Sequence, residues 1–241
     1  MKALLLAAGE GKRLRPLTER LPKPMIPIAG KPILEHNVNF LARWGIREIA
    51  INLHHCPEVV VDHFGDGSNF GVNITYSHEP ELLGTAGAVK KLERFFESTF
   101  LVLYADNLID CNLKRLLLFH HEHQGIGTVV LHYRDEVTQS GIVALDDHDR
   151  VTHFLEKPRR DQAISHWVNA GVFVFETDVL EYIPSSIPSD FGREILPSLL
   201  EQSKRLYGYR LREGEEIWWI DRIEDHKRVQ EIFSKRLTNN E

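Results

Sequence analysis

Residues 3–32 read ALLLAAGEGKRLRPLTERLPKPMIPIAGKP, and the fold is decided at the start of that stretch. Ala3-Leu4-Leu5-Leu6-Ala7 has no polar alternation, the pattern of a strand buried on both faces in the middle of a parallel sheet. The run breaks into a loop holding Gly9, Gly11, Lys12, Arg13 and Arg15, with Lys23 following. Gly9 and Gly11 lack a Cβ, so the backbone can turn sharply and gather its N–H groups around an anion. Lys12, Arg13 and Arg15 add cationic heads near the same point, and Arg is suited to forked contacts with phosphate oxygens. In open α/β sheets ligands sit outside the carboxyl ends of the strands, which is where this loop falls. The cluster therefore reads as a cradle for a polyphosphate. A merely basic surface turn is the alternative, which a lone Gly-x-Gly would not exclude. The Walker spacing is absent, and Leu14 occupies the third glycine position of the dinucleotide pattern.

Outward from the loop, strands and helices alternate. Pro32 opens a helix with Leu34, Val38 and Leu41 at helical spacing, ending near Gly45. Arg47 to Leu53 reads as a strand, Glu58 to Phe64 as a short helix, and Val72 to Ser77 as the next strand. A helix is expected from about Ala86 to Phe96, then a second central-type apolar strand, Phe100-Leu101-Val102-Leu103-Tyr104. This alternation argues for a doubly wound, mostly parallel arrangement. The second half has hairpin texture: Gly141 to Leu145 and Val151 to Leu155 flank the turn-rich Asp146-Asp147-His148-Asp149. The whole is expected to be an α/β protein on a doubly wound, Rossmann-like mixed sheet. A last helix, about Ile223 to Leu237, turns Ile223, Val229, Ile232 and Phe233 inward.

Composition bounds the function. The 241 residues, 42% of them hydrophobic, suit one large domain. The net charge of −6 argues against a nucleic-acid surface and points the local basic cluster at a small anion. No stretch approaches the roughly 18 apolar residues of a membrane span, and the N-terminus lacks a signal peptide's ordered regions, so a cytoplasmic protein without membrane attachment is expected. Cys56 and Cys111 make neither a disulfide framework nor a zinc pattern, and the 13 histidines, including His54-His55 and His120-His121, show no partner set.

Three further positions carry chemistry. Asp106 follows the second apolar strand in Tyr104-Ala105-Asp106-Asn107, so it faces the same crevice as the loop; Mg²⁺ prefers a few carboxylates plus phosphate oxygens. An Asx turn or helix cap is the alternative for this residue alone. Glu79-Pro80-Glu81-Leu82-Leu83-Gly84-Thr85-Ala86-Gly87 is a loop entering a helix, where Gly84 permits close approach to a flat ring and Thr85 is expected as the N-cap. Glu156-Lys157-Pro158 ends a strand and, read alone, is a solvated charge pair.

The run Leu6 to Thr18, followed by Pro22-Lys23-Pro24, resembles the signature of the sugar-phosphate nucleotidylyltransferases, with Lys12 where the usual pattern has Thr. These enzymes join a nucleoside triphosphate to a sugar 1-phosphate, releasing pyrophosphate, on the fold of the nucleotide-diphospho-sugar transferases. The resemblance implies a nucleotide site at Leu6, Ala8, Gly9, Gly11, Lys12, Arg13, Glu79, Gly84 and Thr85. It implies a sugar-phosphate site at Asn107, Gly141, Glu156, Lys157, Asn169 and Gly171, with Lys157 on the phosphate and Glu156 and Asn169 on hydroxyls. Asp106 and Asp221 would hold Mg²⁺, although the Arg222-Ile223-Glu224-Asp225 that follows Asp221 departs from the usual Ile-Gly-Thr-Pro turn. The catalytic set is then Arg13 on the leaving pyrophosphate, Lys23 on the α-phosphate, Asp106 on the metal and Lys157 on the nucleophile.

On this resemblance the chain is a single domain over residues 1–241, with a nucleotide-binding half to about 125 and a sugar-phosphate half from about 126. No hexapeptide repeat follows, so a catalytic domain alone is expected. The loop segments are most similar to guanylyltransferases acting on mannose or heptose 1-phosphate. Uridylyl-, thymidylyl- and cytidylyltransferases stay as alternatives, a homodimer is admitted as an assembly, and a catalytically silent NTP-sugar-binding regulatory subunit is the reading from another class.

Overall fold

The computed structural model describes residues 1–185 and 187–238, with side chains to residue 236. In chain order the first strand, β1 (Lys2–Leu6), is followed by two short strands, β2 (Pro27–Ile28) and β3 (Lys31–Pro32), paired with each other. Helix α1 (Ile33–Arg43) starts after Pro32, whose missing N–H costs nothing at that place, and buries Leu34, Val38 and Leu41 as its spacing predicts. Then come β4 (Glu48–Leu53), α2 (Pro57–Phe64), β5 (Asn73–His78) and α3 (Gly84–Lys91). The expected helix of 86–96 thus begins two residues early and stops at Lys91, the rest tightening into a 3₁₀ turn over Glu93–Phe95. The segments β6 (Phe100–Tyr104), β7 (Asn107–Asp110), α4 (Leu113–His123) and β8 (Gly127–Tyr133) follow. The last part holds β9 (Gly141–Leu145), β10 (Val151–Glu156), β11 (Trp167–Phe175), α5 (Leu196–Glu201), β12 (Leu206–Arg210), β13 (Glu216–Trp219) and α6 (Ile223–Thr238).

These elements divide into two compact units interleaved along the chain. The first takes Met1–Leu4, Leu82–Leu103 and Cys111–Glu216; the second takes Leu5–Glu81, Tyr104–Asp110 and the chain from Ile217.

In the first unit β11 is the organising strand, antiparallel to β6, β8 and β9, while β9 and β10 form the expected hairpin. Parallel pairing enters here through β12 on β8. The mostly parallel arrangement suggested by the first half of the chain therefore gives way to a mixed sheet, because hairpin turns return the chain beside itself. The register of β11 on β8 slips between Asn169 and Phe173, where Gly171 has φ +73°. Such a break bends the strand and re-aims its side chains.

In the second unit β4 and β5 pair in parallel over their full length. Strand β1 gives residues to both units, and its Ala3, Leu4 and Leu5 are wholly buried, as a run without polar alternation requires. One core cluster joins Leu14, Ile26, Ile28, Ile33, Leu108, Trp218, Ile220 and Val229, with Ile223, Ile232 and Phe233 of α6 packed against it. Leu14 thus does here what a third glycine never could: it pins the loop after β1 into the core.

Candidate active site

The second unit gathers the loop cations and the two aspartates. At the end of β1 the carbonyl of Leu6 accepts from the Ala105 N–H at 3.0 Å, which sets the start of the glycine loop beside the turn that carries Asp106. Both sides of that junction are held by buried amides. Asn52 accepts from the Ala7 N–H at 2.7 Å and donates to Glu79 at 2.9 Å. Asn37 donates to the carbonyls of Ala105, at 3.3 Å, and Asn107, at 2.9 Å, and so holds the turn on either side of Asp106. Neither asparagine was singled out in the sequence; each lies on a regular element without a motif around it, and only long-range contact reveals its part.

Lys23 is the centre of the cluster. Its side chain is only 7% exposed, and its ammonium lies 2.7 Å from Asp106 Oδ2 and 3.0 Å from Asp221 Oδ1. Burial works against its charge, but the two carboxylates outweigh that cost and carry the Lys23 pKa above the ordinary lysine value. Arg13 reaches Asp221 Oδ1 as well, at 3.3 Å. Gly11 backs the arrangement: it has φ +61°, and a Cβ there would stand 2.8 Å from the Lys23 Cβ. Glycine is needed at this position on both counts. Thr18 donates its hydroxyl to the Gly11 carbonyl at 2.9 Å and closes the turn. Lys12 points to solvent and pairs with Glu10 at 2.8 Å. Gly9 and Ala8 complete the loop, Gly9 exposed with open space at its Cβ position and Ala8 buried.

The turn after Asp221, which lacks the usual glycine and threonine, is closed by Asp225. Its Oδ2 accepts from the N–H groups of Arg222, at 3.0 Å, and Asp221, at 3.3 Å, at the start of α6. A carboxylate cap replaces the missing residues, and Asp221 still reaches Lys23.

Two carboxylate oxygens that share one cation within 3.0 Å form a donor set suited to a hard divalent ion. No group of three or more His, Cys, Asp or Glu side chains surrounds a metal position among the described residues. An ion held by Asp106 and Asp221 would draw its other ligands from phosphate oxygens and water, which is how Mg²⁺ is usually bound.

The first unit holds Gly84, Thr85, Gly141, Glu156, Lys157, Asn169 and Gly171. Asn107, expected with the sugar-phosphate residues, instead belongs to the second unit beside Asp106. Lys157 has φ +47°, a left-handed conformation unusual for a side chain with a Cβ, and its N–H donates to the Ser140 carbonyl at 3.1 Å. Its ammonium lies 3.8 Å from Glu156 Oε1. Burial, aided by Asp190 and opposed by Lys157 and Arg193, raises the Glu156 pKa. Gly141 is close behind that carboxylate, since a Cβ there would come 2.7 Å from Glu156 Oε2. Asn169 accepts from the Gly171 N–H at 2.9 Å, so the Asn-x-Gly sequence builds the break in β11.

Thr85 is not the N-cap of α3. That place falls to Leu83, which has no side-chain cap, and Thr85 sits in the first turn with its hydroxyl donated to Asp190 at 2.9 Å. Gly84 has φ +74° and would meet the Ser189 carbonyl if it carried a Cβ. Its lack of a side chain is dictated by that packing as well as by any approach to a ring.

A family model described as nucleotidyl transferase matches residues 2–222. The chain belongs to the nucleotidyl transferase family. It is 35% identical to a UTP–glucose-1-phosphate uridylyltransferase of Synechocystis, over 99% of this chain and 65% of that protein. It is 37% identical to a mannose-1-phosphate guanylyltransferase of Mycobacterium tuberculosis, over 86% of this chain and 58% of that protein. The chain thus spans about three-fifths of the length of these relatives. Among solved structures, a UDP-glucose pyrophosphorylase complexed with UDP-glucose superposes with a TM-score of 0.85 at 20% identity, covering 98% of each chain. HddC from Yersinia pseudotuberculosis gives 0.82 at 23% identity, over 96% of this chain and 99% of that one. The two likenesses show the fold, the Rossmann-like one of the nucleotide-diphospho-sugar transferases.

Proposed function

We propose that this chain transfers a nucleotidyl group from a nucleoside triphosphate to a sugar 1-phosphate. The observation that carries the reading is the convergence of Asp106 and Asp221, from separate elements, on the buried ammonium of Lys23 beside the Gly9–Arg13 loop. An oxygen of the sugar phosphate forms a bond to the α-phosphorus in line, the bond from that phosphorus to the bridging oxygen breaks, and pyrophosphate leaves with the electron pair. No covalent enzyme intermediate is needed, so the protein's part is positioning and neutralisation of charge.

Arg13, exposed and forked, holds the leaving pyrophosphate. Lys23 faces the α-phosphate, and the backbone from Leu6 through Gly11 follows the triphosphate, with Lys12 at its rim. Glu79 supports this wall through Asn52, while Gly84 and Thr85 form the segment against the nucleoside. Asp106 and Asp221 would hold Mg²⁺, which when bound would neutralise phosphate charge. Lys157 holds the phosphate of the nucleophile, and Glu156 and Asn169 meet its hydroxyls, with Gly141 and Gly171 shaping the approach. Residues to about 125 thus serve mainly the nucleotide and those beyond mainly the sugar phosphate.

GTP with mannose or heptose 1-phosphate is the first pair proposed, supported by the likeness to the guanylyltransferase. UTP with glucose 1-phosphate is the second, supported by the longer match to the uridylyltransferase. Two free thiols agree with a reducing, cytoplasmic setting, and no helix among the described residues is long and apolar enough to cross a membrane. Pyrophosphate release with Mg²⁺, measured for each pairing of triphosphate and sugar 1-phosphate, tests the reading. One or a few productive pairs are expected; release that does not depend on the sugar phosphate would contradict it.

A further inference from the structure

The carboxylate of Asp190 joins two segments that the proposed transfer uses separately. Its Oδ1 accepts from the N–H groups of Gly192, at 2.9 Å, and Arg193, at 3.2 Å, capping the wide helical turn Phe191–Ile195. Its Oδ2 accepts from the Thr85 hydroxyl at 2.9 Å, and Thr85 Oγ1 accepts in turn from the Phe191 N–H at 2.9 Å. The neighbouring Ser189 adds three backbone bonds: its carbonyl accepts from Ala86, at 3.0 Å, and Gly87, at 3.2 Å, and its N–H donates to Leu83 at 2.9 Å. The start of α3 is therefore occupied by the protein's own chain, so Leu83 to Gly87 is fastened to Ser189 to Phe191 rather than free to move alone.

On its other side the same carboxylate bears on Glu156. A Cβ built on Gly192 would lie 2.6 Å from Glu156 Oε2 and 3.4 Å from Asp190 Oδ1, so this glycine is a spacer between the two acids. Asp190 also contributes to the upward push on the Glu156 pKa. We propose that Asp190 is a positioning residue that couples the two substrate segments: it ties the Gly84-Thr85 turn to the Gly192 backbone on which Glu156 rests. Ordering of one segment by its substrate then orders the other. This inference rests on the assignment of Gly84 and Thr85 to the nucleoside and of Glu156 and Lys157 to the sugar phosphate.

Thr85→Val removes the hydroxyl link and keeps the shape, while Thr85→Ser keeps the hydroxyl. The assay uses the fastest pair among GTP, UTP, dTTP and CTP with mannose and glucose 1-phosphates. The valine variant should raise the KM for the sugar 1-phosphate about tenfold, together with that for the triphosphate, with kcat changed far less and the melting temperature nearly kept. The serine variant should restore both KM values, a rescue that a loss of general stability would not give. Combined with Glu156→Gln, the valine change should be non-additive on the sugar-phosphate KM. A rise confined to the triphosphate KM, a serine variant as impaired as valine, or an additive double variant would overturn the coupling. Lys157→Ala serves as control: if it leaves the sugar-phosphate KM unchanged, the sugar-side assignment itself falls, and the coupling falls with it.

Discussion

Lys23 balances two carboxylates with one ammonium, and the consequences of removing any of the three follow from charge. Asp106→Asn should abolish nearly all turnover, at least about a hundredfold, while circular dichroism shows the fold retained, because the residue is partly exposed and its turn is held by Asn37. Near-normal rates in that variant would refute its place on the metal. Lys23→Met leaves Asp106 and Asp221 facing each other without their buried cation, a loss of about 1–3 kcal/mol in urea unfolding at neutral pH. Added Mg²⁺ should then raise the melting temperature of the variant more than that of the wild type; an equal or smaller rise would argue against the pair as a cation site. Glu156 gives the test in pH. Its folded pKa lies above the unfolded value, so the protonated form is favoured in the fold, and the stability it supplies is present at low pH and lost as pH rises through the raised value. Glu156→Gln should therefore be more stable than wild type at pH 7, with the advantage gone below about pH 4. Thermal melts across that range check the sign.

At the scale of elements, local signals were sufficient where the chain obeys them. The unbroken apolar runs of β1 and β6, Pro32 before α1 and the spacing along α6 all lead to the observed elements because each is a property of neighbours in sequence. The start of α3 departs from its local signal for the opposite reason. Thr85 has the chemistry of a cap, but its hydroxyl goes to Asp190, 105 positions away, and no pattern around Thr85 announces that contact. The turn after Asp221 looked incomplete because the glycine and threonine are missing, yet Asp225 supplies the acceptor one helical turn on. Gly11 shows a glycine whose need was legible in kind but not in cause: the nest was expected, the contact with Lys23 was not. Gly11→Ala should cost about 1–3 kcal/mol from its positive φ alone and displace Lys23, lowering kcat more than a comparable change at exposed Gly9. Equal effects of the two substitutions would show that the backing of Lys23 carries no weight.

For the whole molecule, the order of the motifs is legible in the sequence, whereas the packing that groups them is a matter of long-range contact. The loop, Asp106, Glu156-Lys157, Asn169 and Asp221 follow one another in the order of the pattern that the sequence resembles, and a division near residue 125 is what that order leads one to expect. The compact units exchange segments, β1 and β6 each giving residues to both, because units are made by packing across the chain rather than along it. Asp106 and Asp221, 115 positions apart in sequence, come together on Lys23 within one of those units. That meeting is what makes nucleotidyl transfer the central claim, and its most direct test is a matrix of GTP, UTP, dTTP and CTP against mannose, heptose and glucose 1-phosphates with Mg²⁺. Pyrophosphate and NDP-sugar should appear in equal amounts for one or a few pairs, and only when both substrates are present. No product with any pair would contradict the claim and favour an NTP-sugar-binding regulatory protein.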